Sequence, residues 1–404
     1  MREPRRDPCV RGAGAGVRGT KGQAAMTEPF VPAAFERRFE ILRDGFATPH
    51  AITGWPGRIS GCIYRADGAK APLSERFGGH LGDAMATDNP DRVARPEGLR
   101  RLPGRGLYLG HFMASHYGHF ITETLSTFWI FEEIAAGSID YVLFHPFVFG
   151  EAMPGYARYC LERFGMDPGS VVLVGDEPLG FDELILPERL LRLNHSADPS
   201  LRRVYAALSG AGRDPAPPDR RLYLSRRRLG AHNLERLVAN EVRIEALFAR
   251  AGFETVYPET LPFPAQMALY ARAAAIAGLS GSNLHNALFT PEGTLVVELG
   301  DPRYAGAPAP TQGLCNAVAG ARGRFIPFAG RMFGPRQTMV FDLDHLARRL
   351  GEILGAAAPE GAREAALPGL PPPRPRELLE IGYRCARPVV GHLARRILPR
   401  RAAG

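Results

Sequence analysis

The chain reads as an α/β protein whose second half is a mostly parallel sheet with helices on both faces, and three observations predict it. Short apolar runs alternate with amphipathic helical stretches from residue 221 onward. The helical stretches are punctuated, by Gly252 after Leu234–Ala251 and by Pro264 at the start of Phe263–Ala273. The small-residue run Ala274–Leu279 ends in a Gly-Ser turn from which a short helix begins at once. Period and punctuation together mark repeated βα units.

Taken in order, residues 1–25 are rich in Gly, Arg and Ala and have no apolar run. They read as a basic arm or as translated upstream sequence; the second is preferred, with Met26 as the start. Residues 26–212 form an N-terminal α/β domain. Gly106–His111, Tyr141–Phe144, Val171–Val174 and Leu184–Leu186 are its strands, and Tyr156–Phe164 and Pro199–Leu208 its helices. The Pro-rich break Arg213–Arg220 is the linker. In residues 213–355 the strands are Arg221–Ser225, Phe253–Tyr257, Ala274–Leu279, Thr294–Leu299 and Arg324–Pro327. The helices are Leu234–Ala251, with Leu237, Ile244, Leu247 and Phe248 on one face, then Phe263–Ala273, Asn283–Phe289 and Asp342–Leu354.

Residues 356–404 differ. The Pro-rich spacer Pro368–Pro375 leads into a segment that carries eight Arg and two Glu between Arg374 and Arg401. Such a basic amphipathic stretch reads either as a surface element on anionic lipid or as a helix docked on the domain, and Pro388 argues against one continuous helix.

Composition narrows the class. The 404 residues carry 50 basic and 42 acidic side chains, a net +8, and much of the excess sits in the two tails. That is weak ground for nucleic-acid binding, and no nucleic-acid partner is expected; a phosphate-bearing substrate or an anionic membrane suits the charge equally well. The five cysteines are scattered and never spaced CxxC, so a reducing cytosol is the natural setting and no thiolate metal site is expected. No apolar run reaches the length of about 18 residues that a membrane span needs.

Three stretches could carry chemistry. In Ala275–Asn286 a strand ends in Gly-Leu-Ser-Gly-Ser at the edge where open α/β sheets bind ligands. Gly281 permits close backbone approach, Ser282 or Asn283 can cap the helix, and its first N–H groups favour an anion such as diphosphate. Arg226, Arg227 and Arg228 follow the strand Arg221–Ser225, and a guanidinium grips phosphate oxygens in a fork. Finally, His111, His116, His119 and Glu123 crowd into GHFMASHYGHFITETL. On a helix His116, His119 and Glu123 share one face, as a general base oriented by a carboxylate would, or a metal site.

The order of HYGHFITETL, YLSRR, an Asn-Glu pair at Asn240-Glu241, the block from Gly252 to Phe289 and a strand ending in Glu298 resembles family 61 glycosyltransferases of the bacterial capsular or exopolysaccharide type. The resemblance spans roughly Gly106–Glu298. It implies a GT-B-like fold of two Rossmann-like domains facing a central cleft, with a nucleotide-sugar donor on the C-terminal one and a glycan or glycolipid acceptor on the N-terminal one. It also implies an inverting, metal-independent hexosyl or pentosyl transfer without a cofactor, in surface polysaccharide assembly, cytoplasmic and peripheral to the inner membrane. The family's donor contacts fall on Ser225, Arg226, Gly281, Ser282, Leu284 and Asn286, with Asn283 and His285 beside them and Glu298 on the ribose. Its Gly-His pair falls on Gly118 and His119. Where members often have a histidine before the junction glycine, this chain has Ser280. The spacing Arg236-x-x-x-Asn240 is one residue looser than the family's.

The expected reaction is a single displacement, with His119 as base, Glu123 orienting it or acting itself, and Arg226 and the Asn283 helix receiving the leaving diphosphate. Two other readings stand beside it. Gly278-Leu-Ser280-Gly-Ser282 nearly spells a serine-hydrolase elbow with Ser280 as nucleophile and His345 downstream. A catalytically inactive sugar- or nucleotide-binding protein on the same fold would also fit.

Overall fold

The computed structural model describes residues 35–53, 58–76, 89–112, 116–146, 153–212, 216–229, 237–302, 306–333 and 337–357, together with positions 375, 377, 379 and 381. The chain divides into two compact units. One is Met1–Leu208 with Gly313–Val318, the other Ser209–Gln312 with Ala319–Gly404.

The first unit is built on a seven-stranded mixed sheet of β1 (Phe39–Arg43), β2 (Phe46–Ala47), β3 (Ile63–Tyr64), β4 (Arg100–Phe112), β5 (Tyr141–Pro146), β6 (Val171–Leu173) and β7 (Leu179–Pro187). The strand order is β3-β2-β7-β4-β5-β6, with β1 also on β7. The quartet β7-β4-β5-β6 is parallel, whereas β1 and β2 run antiparallel to β7. The sheet is thus mixed, and its parallel part, the part a Rossmann-like domain would have, comprises four strands. Within the quartet, the chain steps from β4 out to β6 and then returns to the other side of β4, so the order reverses between β4 and β7. Leu42, Leu102, Tyr108, Leu143, Phe181, Leu184 and Leu186 form the core on one side.

The segment after β4 is the largest local departure from a regular helix. Tyr117–His119 is one α-helical turn, Phe120–Thr124 is π-helical and Leu125–Glu132 is 3-10. Almost all of residues 120–130 is buried, so backbone groups freed by the irregular winding must find partners inside. Hydroxyls supply them. Thr122 Oγ1 donates to the Gly118 carbonyl at 2.7 Å, Ser126 Oγ to that of Glu123 at 2.6 Å, and Tyr205 Oη to that of Ile121 at 2.7 Å.

In the second unit, β8 (Arg220–Leu224), β9 (Glu254–Val256), β10 (Ala273–Leu279), β11 (Leu295–Leu299) and β12 (Arg322–Ile326) make an all-parallel sheet of order β9-β8-β10-β11-β12. Its central strands are continuously apolar because both faces are covered. Alternate residues Tyr223, Ala275, Ala277, Leu279, Val297 and Leu299 pack against Ile244, Leu247 and Phe248 of the helix Glu241–Arg250 and Leu346, Leu350 and Ile353 of the helix Leu343–Ala357. Each Val, Leu, Ile or Phe side chain among them removed from water contributes about 1.5–3 kcal/mol. The order reverses between β8 and β10.

One expected boundary moved and one helix is new. The helix predicted from Leu234 starts at Glu241, because residues 237–239 are drawn out of it to pair with the hairpin β13 (Gly330–Phe333)–β14 (Thr338–Phe341). Leu237 therefore lies on no helix face: its carbonyl accepts from Met339 N at 2.9 Å. The helix Pro310–Ala319 was not foreseen. Met26, Arg236 and most of the basic tail lie outside the described residues. Among the described tail positions, Glu377 is ion-paired with buried Arg243 at 2.9 Å and Leu379 is exposed.

Asn240 joins the moved elements, donating to the Phe341 carbonyl at 2.8 Å and accepting from its N–H at 3.0 Å, both buried. Asn240→Ala leaves two backbone groups without partners, at about 1–3 kcal/mol each. Urea unfolding should show a loss of that order; a variant within ~0.5 kcal/mol of wild type would mean that the junction relaxes.

Candidate active site

The reversal between β8 and β10 brings two of the sequence-derived stretches together. Ligands in open α/β sheets bind outside the carboxyl ends of strands at such a switch point. Here those ends are Leu224, leading to Ser225 and Arg226, and Leu279, leading to Ser280 and Gly281. Asn283 Nδ2 donates to the Leu224 carbonyl at 3.1 Å, tying the two loops directly. Gly281 has φ 128°, a conformation that a side chain would strain. Ser282 and Asn283 are partly exposed, whereas His285 and Asn286 are buried, His285 Nδ1 on Gln312 Oε1 at 2.9 Å and Asn286 Nδ2 on the Asn283 carbonyl at 2.9 Å.

The expected cap is absent. Asn283 is helical in conformation and makes no side-chain cap, and the helix is a six-residue 3-10 element, Leu284–Phe289. So short a helix has little dipole to offer an anion. Any phosphate grip at this edge must come from loop N–H groups and arginine.

The three arginines are sorted by buried glutamates. Arg227 Nε meets Glu245 at 2.9 Å and its Nη2 meets Tyr257 Oη at 2.7 Å, while the exposed Arg228 lies 4.1 Å above the Tyr257 ring. Arg226, half-buried, has its N–H held by Glu241 at 2.7 Å. Ser225 is fully buried and its hydroxyl donates to Glu245 at 2.7 Å, so in this structure it fixes the loop and is not open to a ligand. Glu298 is likewise buried, accepting from Ser280 Oγ at 2.6 Å and Ala309 N at 3.0 Å. Burial raises its pKa against those two hydrogen bonds. The hydrolase reading fails here. Ser280 has no exposed surface, and its hydroxyl serves Glu298 and the Leu299 carbonyl.

In the first unit His119 and Glu123 are brought together. The Glu123 carboxylate accepts from Arg76 Nε and Nη2, both at 2.7 Å, and its Oε1 also meets His119 Nδ1. Burial alone would raise the Glu123 pKa, but Arg76 and His119 outweigh it and hold the carboxyl well below the usual range. Glu123 therefore stays ionised and accepts from His119 Nδ1. The His119 side chain is 26% exposed, whereas that of Glu123 is buried. His116 precedes the helical turn and packs edge-on against His119 at 4.4 Å.

His111 lies elsewhere, in a buried row with His50 and His145 at 5.6 Å centroid spacings. Burial lowers all three, to about 4 for His50, about 3 for His145 and well below the ordinary value for His111. They are neutral at pH 7. His145 Nε2 donates to the Thr48 carbonyl at 2.8 Å, so its Nδ1 accepts from Tyr108 Oη at 2.8 Å. Residue type and spacing identified neither this row nor Arg76, whose partner is 47 positions away.

A buried ion pair broken on one side leaves an uncompensated charge, at about 3–5 kcal/mol. Arg76→Met should lose that much at pH 7 in chemical denaturation. Because the folded pKa of Glu123 is depressed, its contribution is complete above the ordinary glutamate value of ~4.3 and is lost as the pH falls toward the folded value. The gap between Arg76→Met and wild type should thus narrow below pH ~4. Adding Glu123→Leu should restore most of the loss, and simple additivity of the two would show that the pair is not coupled.

Among the described residues, no helix is long and apolar enough to cross a membrane. No curated protein sequence matches the chain. Residues 117–297, somewhat under half of it, match the family model described as Glycosyltransferase 61. That span runs from the Tyr117 turn to β11 and takes in His119, Glu123, Arg226 and the Gly281 junction, and the match supports a family 61 glycosyltransferase.

Proposed function

We propose that the glycosyltransferase is inverting and uses a nucleotide-sugar donor, with the diphosphate held at the β8–β10 switch point of the second unit. The observation that carries the donor reading is the hydrogen bond from Asn283 to the Leu224 carbonyl, which sets the Arg226 loop beside the Gly281 turn at the strand ends. Arg226 would neutralise the leaving diphosphate, and the N–H groups of the Gly281–Asn283 turn would add donors where charge grows. Ser225, Glu241 and Glu298 act behind these groups as positioning residues.

His119 is the base. The ionised Glu123 accepts from Nδ1, so the imidazole proton sits there and Nε2 keeps a free lone pair. In one displacement the acceptor hydroxyl gives its proton to Nε2 as its oxygen bonds to the anomeric carbon. The bond from that carbon to the diphosphate oxygen breaks on the opposite face, and the electron pair leaves with the nucleotide. Atoms balance without a further reactant. The acceptor is a glycan or glycolipid of surface polysaccharide assembly, and the basic tail holds the enzyme against an anionic membrane.

UDP or GDP at a hundredfold excess over Kd should stabilise the full chain by about 2.7 kcal/mol, read as a rise in Tm. Arg226→Ala should weaken that binding at least tenfold. His119→Ala should leave it unchanged and lower kcat by about 10²–10⁴. Absence of any nucleoside diphosphate shift would remove the donor assignment, and undiminished turnover in His119→Ala would remove the base.

A further inference from the structure

The first unit has its own switch point, between the carboxyl ends of β4 and β7, and the groups there are unlike those of the second. His111 lies at the end of β4 and Arg189 two residues past β7. Arg189 Nη2 donates to His111 Nδ1 at 3.0 Å across the gap. Beside them lies a cavity of about 320 Å³ whose wall includes Arg38, Arg76, Glu123, Glu188, Arg189 and Arg192.

The charges of that wall do not cancel. Four arginines and three glutamates line it, the third glutamate being Glu75. Each carboxylate already has a cation: Glu188 holds Arg38 at 2.7 Å and Arg192 at 2.9 Å, Glu123 holds Arg76 at 2.7 Å, and Glu75 holds Lys70 at 3.1 Å. Arg189 alone of the four has no carboxylate bonded to it among the described residues. Among the described residues its hydrogen-bond partner is His111, which accepts through a neutral ring and brings no charge.

The placement is built into the backbone. Gly110 has φ 86°, and a Cβ there would come within 2.6 Å of Arg189 Nη2. The strand thus gives up a side chain to admit the guanidinium. A guanidinium fixed at the edge of a parallel sheet, in a cavity with one positive charge in excess, matches an oxyanion.

We propose that this pocket takes the acceptor through an acidic group, a carboxylate or a phosphate bound by Arg189, so that the acceptor is an acidic sugar or a sugar phosphate. The inference rests on the glycosyltransferase reading and names its acceptor class. Glu123, whose carboxylate also meets His119 Nδ1, is itself in the pocket wall, so the pocket lies one residue away from the proposed base.

The test measures binding of glucuronate, glucose 6-phosphate and glucose to the full chain by calorimetry, in wild type, Arg189→Gln and Arg189→Lys, with UDP and GDP binding and Tm measured on the same samples. At least one acidic sugar should bind wild type tenfold or more tighter than glucose, lose that advantage in Arg189→Gln and regain part of it in Arg189→Lys. Preference for glucuronate identifies a carboxylate and preference for glucose 6-phosphate a phosphate. The proposal is overturned if neither acid binds better than glucose, or if the advantage survives in Arg189→Gln with Tm unchanged. It is overturned too if Arg189→Gln weakens the nucleotide instead, which would make the cavity part of the donor site. Should Arg189→Gln not fold, the wild-type ranking and Arg189→Lys still decide. Failure of UDP and GDP to bind wild type, with Arg189-dependent acid binding intact, would sink the donor assignment alone.

Discussion

A carboxylate taken out of water has to be met by donors, and the buried glutamates of this chain organise both units by that demand. Glu123 draws in Arg76 and His119 and so fixes which ring nitrogen carries the proton. Glu241 and Glu245 collect Ser225, the Arg226 N–H, Arg227 and Tyr257. Glu298 holds Ser280 and the Ala309 N–H. All four carboxylates are buried and already hydrogen-bonded. Each one determines where a neighbouring functional group points.

The sheets supply the second half of the logic. In both units the chain runs outward along the sheet and then returns to the far side of its starting strand, the kind of place where ligands bind in open α/β sheets. The second unit sets Arg226 and a glycine turn at that place, and the first sets Arg189 and a neutral histidine. The same topological rule thus yields two polar sites with different charge, one joined through an asparagine side chain and the other through a guanidinium.

Much of the second unit was legible because its signals are local. Small and apolar runs bounded by glycine and proline mark β8 to β12 within a few residues, and a parallel sheet covered on both faces leaves that plain pattern. The first unit was less legible. Its antiparallel strands β2 and β3 are two residues each, too short for any period, and residues 117–132 change winding twice while hydroxyls and the distant Leu190 N–H donate to the segment's carbonyls. The loss of Leu237 from its expected helix has the same origin, since a partner 102 positions away, Met339, competes for its backbone.

For the candidate site the division is sharper. The sequence by itself determined which residue types stand next to each other: a histidine four positions from a glutamate, a run of arginines after a strand, a glycine at a strand's end. Helical and strand geometry act over that range, so these neighbours were readable. Tertiary structure alone decided which of them are buried and what they are bonded to. It buried Ser225 and Glu298, set Arg227 on Glu245, Arg228 over the Tyr257 ring and the Arg226 N–H on Glu241, and brought Arg76 and Arg189 to residues 47 and 78 positions distant. Ion pairing and desolvation depend on distance in space, and no local pattern encodes that.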